Sequence, residues 1–265
     1  MKRNKFLTYI AVLTIALISY ACNKEGLQQK PIQADTLINP AASACSPQAI
    51  YPIFTGCQNQ TRSINLDFSL GLSLYSTGST LYQLCPGVQF NVTYTFTTCF
   101  LGNDPIHFVH NLNYNLADII AACPALQAEI NNQQALGNLV GFLDQLDFDI
   151  SKQVEFTEAY NAAVENEDDF LCGPNGGEFY NIKYIQNSCF KWIPFLDGPK
   201  DRPIPAFRKE NCENGICCIR IGRYCVERFF NGEPVLQGSG NSTFERTEGT
   251  CPIECTHECG DPNAS

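Results

Sequence analysis

Three histidines, 27 acidic side chains and 15 cysteines set what chemistry is open to this 265-residue chain. His107 and His110 are three residues apart. On a helix that spacing puts both imidazoles on one face, where they could share a metal ion. The local run Pro105-Ile106-His107-Phe108-Val109-His110 reads as a strand instead, and positions three apart on a strand point to opposite faces. No metal or catalytic histidine pair is therefore expected. Asp144, Asp147 and Asp149 form one oxygen-rich group, and Glu165, Glu167, Asp168 and Asp169 form another. Either could be offered to Ca²⁺. An EF-hand loop needs oxygen ligands at alternate positions and a glycine at the sixth. Counted from Asp147, Phe148 and Ile150 intervene and the sixth residue is Lys152, so the motif fails. Both acidic groups are read as solvated helix ends. Glycosidases work with a carboxylate pair at a set separation, but with so many acids the sequence alone singles out no pair.

Nucleophile signatures are missing. Gly238-Ser239-Gly240 is one residue short of a G-x-S-x-G elbow and reads as a turn. No glycine-rich loop with a lysine is present to cradle phosphate. The tightest cluster of soft ligands is Cys251, Cys255, His257 and Cys259, yet no Cys-x-x-Cys knuckle occurs anywhere. Fifteen cysteines suit an oxidising compartment, where they pair. Beyond Cys22 the candidates are Cys45, Cys57, Cys85, Cys99, Cys123, Cys172 and Cys189, then Cys212, Cys217, Cys218, Cys225, Cys251, Cys255 and Cys259. These divide seven and seven about residue 200. If all pair within one chain, an odd number on each side requires at least one bridge between the two regions. Cys217 and Cys218 are adjacent, so on a strand they face opposite ways and are expected to take different partners.

The odd fifteenth cysteine falls at the end of the leader. Lys2, Arg3 and Lys5 precede an apolar run from Phe6 to about Ile18, followed by Ser19, Tyr20, Ala21 and Cys22. A basic start, a short apolar core and small residues at the end make a secretory signal peptide over residues 1–21. Ala21-Cys22 resembles the lipobox of bacterial lipoproteins, with Ser19 and Tyr20 standing where Leu and a small residue are usual. The resemblance covers only residues 1–22. It implies that Cys22 becomes the diacylated N-terminus. The alternative is ordinary cleavage that releases a soluble protein with Cys22 as a structural cysteine. Removing Cys22 from the disulfide pool leaves an even fourteen, which agrees with the lipid site. Several acyl chains at about 0.8 kcal/mol per buried CH₂ anchor a protein firmly, and no later run approaches the roughly 20 apolar residues of a membrane span.

The elements that must position these residues follow from periodicity and turn chemistry. Residues 22–44 contain Pro31 and Pro40 among small and polar side chains and read as a lipid-anchored flexible tether. Asp35-Thr36-Leu37 within it resembles a short bacterial O-glycosylation motif, which would place a glycan on Thr36. Ile64, Leu66, Phe68, Leu70, Leu72 and Leu74 alternate with polar residues, as do Val88, Phe90, Val92, Tyr94 and Phe96. A period of two predicts two half-buried antiparallel strands with one wet face. Leu116–Leu146 carries a helical stripe, with Pro124 at a helix first turn, and a further helix is expected from about Val154 to Phe170. Residues 178–192 return to strand. Residues 194–211, with Pro194, Pro199, Pro203 and Pro205, read as a boundary or long connection. In the cysteine-dense tail, Asn231-Gly232 predicts a two-residue hairpin turn. The expected fold is α+β and disulfide-rich: an antiparallel sheet with a helical middle section over 45–195, then a cysteine-dense β-hairpin module over 196–265, disulfide-linked to the domain before it.

The formal charge of -10 argues against a nucleic-acid partner, which needs clustered Lys and Arg. Residues 40–199 hold 4 basic and 15 acidic side chains, and residues 200–265 hold 8 and 10. No cofactor is implied. The leading functional reading is an exported lipoprotein anchored to the outer membrane of a Gram-negative cell, periplasmic or surface-facing, and non-enzymatic. Its role is binding, adhesion or structure, with a glycan or a protein as ligand and the lipid as its one membrane contact. The competing reading is an exocytoplasmic hydrolase using a carboxylate pair.

Overall fold

A computed structural model describes residues 45–68, 79–165, 170–173, 179–198, 200–201, 203–212, 216–238, 243–252, 255 and 259. Outside them lie the signal peptide, Cys22, the tether with Thr36, the Leu70–Leu74 part of the first predicted strand, Glu167, Asp168, Asp169, His257, Ser239 and Gly240. Among the described residues no helix is long and apolar enough to cross a membrane.

The two alternating segments form β1 (Thr55–Asp67) and β2 (Gln89–Leu101), paired antiparallel from Asp67↔Gln89 to Thr55↔Phe100. Gly102 at φ 66° starts a two-residue turn that returns the chain as β3 (Asp104–Tyr114). Asn111, at φ 54°, bulges from β3 between Thr95↔His110 and Thr93↔Asn113. The extra residue keeps Leu112 and Tyr114 on the same face as Val109.

The middle section is helical. Two short helices precede it, α1 (Pro47–Ile50) and α2 (Thr80–Leu84), capped by the Ser46 and Ser79 hydroxyls. Then come α3 (Leu116–Ala122), α4 (Pro124–Leu136) and α5 (Leu139–Glu165). Pro124 opens α4, and Gly137 closes it at φ 74°. The stripe around Leu143 and the one starting at Val154 belong to one 27-residue helix, α5, where the sequence suggests separate helices.

This crossover returns the chain to β4 (Tyr180–Asn187), which pairs parallel with β3. A strand–helices–strand connection leaves both strands running the same way, so this pair departs from the otherwise antiparallel sheet. β7 (Cys217–Phe230) pairs with β4 on one edge and with β8 (Glu233–Gly238) and β9 (Thr243–Arg246) on the other, giving the order β1-β2-β3-β4-β7-β8 with β9 also on β7. Asn231 (φ 53°) and Gly232 (φ 84°) make the predicted turn between β7 and β8. The proline-bearing stretch is not a connection. Pro194 lies in β5 (Phe190–Asp197) and Pro205 in β6 (Ile204–Asn211), a separate two-stranded sheet, while Pro199 lies outside the described residues. With two strands, each keeps one edge free, which is where proline is tolerated.

The main core lies between one sheet face and the helices, with Phe90, Val92, Tyr94, Val109, Ile182, Tyr184 and Val226 meeting Ile119, Leu126, Leu143, Leu146 and Ile150. The β5–β6 hairpin closes this core with Ala206, Trp192 and Phe207. The aromatic residues of β2 are therefore interior. The opposite sheet face is wet over much of β1–β3. A second cluster covers the rest, in which Phe108 of β3, Ile185 of β4 and Ile219 of β7 meet Ile50, Tyr51 and Phe54 of the segment that begins at Cys45.

All fourteen cysteines from Cys45 to Cys259 pair. The bridges are Cys45–Cys217, Cys57–Cys99, Cys85–Cys123, Cys172–Cys225, Cys189–Cys251, Cys212–Cys255 and Cys218–Cys259. Three of them, from Cys45, Cys172 and Cys189, cross between the regions before and after residue 200. Cys217 and Cys218 leave β7 on opposite faces and take different partners.

Candidate functional site

Helix α5 carries a polar stripe into the core. Asp144, Asp147, Ser151, Glu155 and Glu158 follow one another by three or four residues, the spacing of one helix face. That face turns toward the sheet, so these groups leave water. Asp147 and Glu158 are buried, and Glu155 is fully enclosed at 0 % exposure. A carboxylate taken from water costs several kcal/mol unless its oxygens are bonded. Here strands supply the bonds. Glu155 Oε1 accepts from Arg220 Nε at 2.9 Å and Oε2 from the Tyr224 hydroxyl at 3.2 Å. Arg220 also donates to Ser151 Oγ at 2.9 Å and lies over the Phe148 and Tyr184 rings. Glu158 accepts from Arg62 of β1 and from the Tyr94 hydroxyl of β2. Asp147 accepts from the Tyr114 hydroxyl at 3.0 Å and from Lys209 Nζ of β6 at 2.7 Å. Asp149, one residue off the stripe, accepts from Gln145 at 2.8 Å and from the Leu81 backbone N–H of α2 at 3.3 Å.

Gly222 of β7 makes room for this arrangement. A Cβ there would stand 3.0 Å from Glu155 Oε2 and 2.9 Å from the Tyr224 ring. Burial, reinforced by the neighbouring carboxylates, holds the Tyr94, Tyr114 and Tyr184 hydroxyls well above their ordinary range, so they remain donors.

Asp144 sits at the end of the stripe under the β5–β6 hairpin. Its Oδ1 accepts from Trp192 Nε1 at 2.8 Å. Burial is the main cause that pushes its carboxyl up from 3.8 to about 6, and Asp147 adds to it. The indole N–H and the charge of Lys209 oppose the shift. Lys209 also lies 3.9 Å from the Phe190 ring centroid and donates to Gln186 at 3.0 Å. This corner, with two acids, a lysine, a tyrosine and an indole, is the most reactive-looking constellation described. It can hold or release a proton on Asp144 at mildly acidic pH. Asp147, Asp149, Glu155 and Glu158 have both carboxylate oxygens engaged by the fold.

The sequence candidates fall as follows. His107 and His110 are on strand β3 and face opposite ways. His107 stacks between Phe96 and Tyr180, with centroids 5.5 and 4.9 Å away, and His110 meets Thr97 Oγ1 at 2.8 Å on the other face. Burial lowers both, His110 to about 4, so both are neutral at pH 7. Asp147 and Asp149 are buried in mid-helix rather than solvated at a helix end, because α5 runs straight through them. Cys251, Cys255 and Cys259 are in three different bridges. Among the described residues no three His, Cys, Asp or Glu side chains are grouped to hold a metal ion. The sequence reading passes over Glu155, Glu158, Arg62, Lys209 and Arg220. Their signal is the helical spacing of acids through an apolar run, and an arginine set between Ile219 and Ile221.

Among known proteins no family model, no curated protein and no solved structure matches this chain.

Two outcomes follow from the stripe. Arg220→Met leaves Glu155 buried without its cation and is expected to cost about 3–5 kcal/mol in denaturant unfolding. Adding Glu155→Leu should recover most of that loss, and an equally unstable double variant would refute the pairing. The second outcome concerns pH. Because the folded state holds the Asp144 proton more tightly than the unfolded chain, its contribution is present below about pH 4 and is lost as pH rises through about 6. Melting curves of wild type and Asp144→Asn should coincide near pH 4. By pH 7 they should diverge, with the variant more stable by on the order of 2 kcal/mol.

Proposed function

We propose that this protein is an exported lipoprotein, held on the outer membrane through acylated Cys22, whose folded domain is a binding module. The supporting observation is the contrast between its two sheet faces. The helix-covered face spends its charged groups on internal bonds. The wet face of β1–β3 is lined by hydroxyl and amide side chains, among them Thr61, Ser63, Asn91, Thr93, Thr95 and Asn113. They are pre-set against one another: Ser63 donates to Asn91 at 3.0 Å and Asn111 to Thr95 at 3.4 Å. One carboxylate, Asp67, stands at the margin and accepts from Gln89 at 2.6 Å. An array of hydroxyl and amide donors and acceptors, with a carboxylate only at its margin, suits a neutral, hydroxyl-rich ligand, so a glycan is the ligand class we favour over a charged protein surface. The competing hydrolase reading would draw on Asp144 with Asp147, and release of reducing ends from a bound glycan would favour it.

The anchor is tested by intact mass of the detergent-extracted protein. A chain starting at Cys22 with added acyl mass and fourteen hydrogens fewer than the reduced form is expected. A chain without acyl mass would remove the anchor. The face is tested on an array of neutral envelope glycans. Wild type should bind, and Asn91→Arg, an exposed change, should abolish binding with the melting temperature unchanged. Binding that survives Asn91→Arg together with Thr93→Arg would place the ligand elsewhere.

A further inference from the structure

Two of the seven bridges meet at neighbouring residues. Cys45 is bonded to Cys217, Cys218 is bonded to Cys259, and one peptide bond joins Cys217 to Cys218. The chain therefore has a covalent route from Cys45 to Cys259 made of two disulfides and that peptide. The Cα separations across the bridges are 5.5 and 5.4 Å, and neighbouring Cα atoms lie about 3.8 Å apart. Everything from residue 46 to 216, and from 219 to 258, hangs on this route as loops. Cys212–Cys255 gives a second route beside it: Cys45 to Cys217, back along the chain to Cys212, across to Cys255 and on to Cys259. Both enter through Cys45–Cys217, whose half-cystines are 5 % and 0 % exposed among Phe108, Ile185 and Ile219.

We propose that the domain is a tension-bearing link. A pull between the chain before Cys45 and the chain after Cys259 runs through the bridges and leaves the sheet and the α5 stripe unloaded. Without these bonds the same pull would draw on hydrogen bonds and packing, which give way one after another. With them, the domain cannot lengthen until a covalent bond breaks. The role rests on the proposed anchor, which supplies the fixed end of the pull. Its physical basis, the covalent route, does not.

Single-molecule stretching of the chain from residue 23 to 265, with inert handles at both ends, tests this. The oxidised protein should yield extension only from residues outside 45–259. In Cys45→Ser with Cys217→Ser, the shortest route runs through Cys57–Cys99, Cys85–Cys123, Cys172–Cys225 and Cys218–Cys259. It frees ~80 residues, a step on the order of 30 nm at about 3.3–3.6 Å per residue. A step of that size from the oxidised wild type overturns the proposal, and so does a double variant that stretches no further than wild type. As a control for a variant that does not fold, reductant is added to wild type under constant load. Release on the order of 70 nm is expected as the whole 45–259 span is freed, and no release overturns the proposal. An oxidised chain that does not stretch, beside a mature protein with no acyl mass, would remove the anchor reading alone. An acylated protein that stretches would remove this one alone.

Discussion

The structure depends on the buried acids of α5 finding partners. Glu155 and Glu158 lie in an apolar interior, where carboxylate oxygens left unbonded would cost several kcal/mol. The partners of these two and of Asp147 come from opposite ends of the chain. Arg62 arrives from β1, Lys209 from β6 and Arg220 from β7, while Tyr94, Tyr114 and Tyr224 provide hydroxyls from three strands. The helix cannot settle on the sheet until strands separated by more than a hundred residues are in place. That requirement ties the late strands to the early ones. It also gives meaning to the uneven charge. Residues 40–199 hold 4 basic against 15 acidic side chains, and two of the three cations on the stripe are supplied from beyond residue 200. The tail completes the electrostatics of the body.

The disulfides act on the other side of the equilibrium. A bridge raises stability chiefly by limiting the unfolded chain, by about 2–4 kcal/mol for loops of ordinary length. Three bridges cross between the two halves and one of them, Cys45–Cys217, spans 172 residues. The stripe decides which packed arrangement is acceptable, and the bridges reduce the number of alternatives to it. A main core of more than thirty buried side chains does not need seven bridges for stability alone. The placement of the bridges, with two meeting at Cys217 and Cys218, carries information that their number does not.

Much of the fold was legible because it obeys simple periods. Strict alternation from Phe90 to Phe96 left one wet and one dry face for β2, and cysteine parity required a bridge between the regions. Asn231-Gly232 announced a hairpin through the one property both share, tolerance of positive φ. What was not legible had two causes. Acids at helical spacing look the same whether the face meets water or arginine, so Asp147 and Asp149 read as solvated when they are buried. Only the partner strands decide the matter, and those lie far off in sequence. The prolines of 194–211 signalled a break because a proline cannot donate to a ladder on its N–H side. In a two-stranded sheet that side faces outward, so Pro194 opposite Phe207 and Pro205 opposite Leu196 are compatible with full pairing. Gly102-Asn103, between β2 and β3, was a readable turn signal that the prolines and cysteines overshadowed.

The outer face of the sheet shows how these constraints divide the molecule. One part is closed by the segment that starts at Cys45, where the Tyr51 and Phe54 rings pack on Phe108 and Tyr51 takes a hydrogen bond from Lys183 while donating to Glu245. The other part, around Ser63 of β1, Asn91 of β2 and Asn113 of β3, stays open, with the Asp67 carboxylate at its margin. The closed part fixes the entry of the chain to β7, the strand that also carries Arg220 and Gly222. The open part lies two strands away, across β4, and joins it through the parallel pairing of His107–His110 with Ile182–Ile185. A load along the chain ends therefore passes by β7 and does not reach the open face, which is held to β7 by the β3–β4 ladder on one side and by residues 46–54, running from Cys45 to β1, on the other.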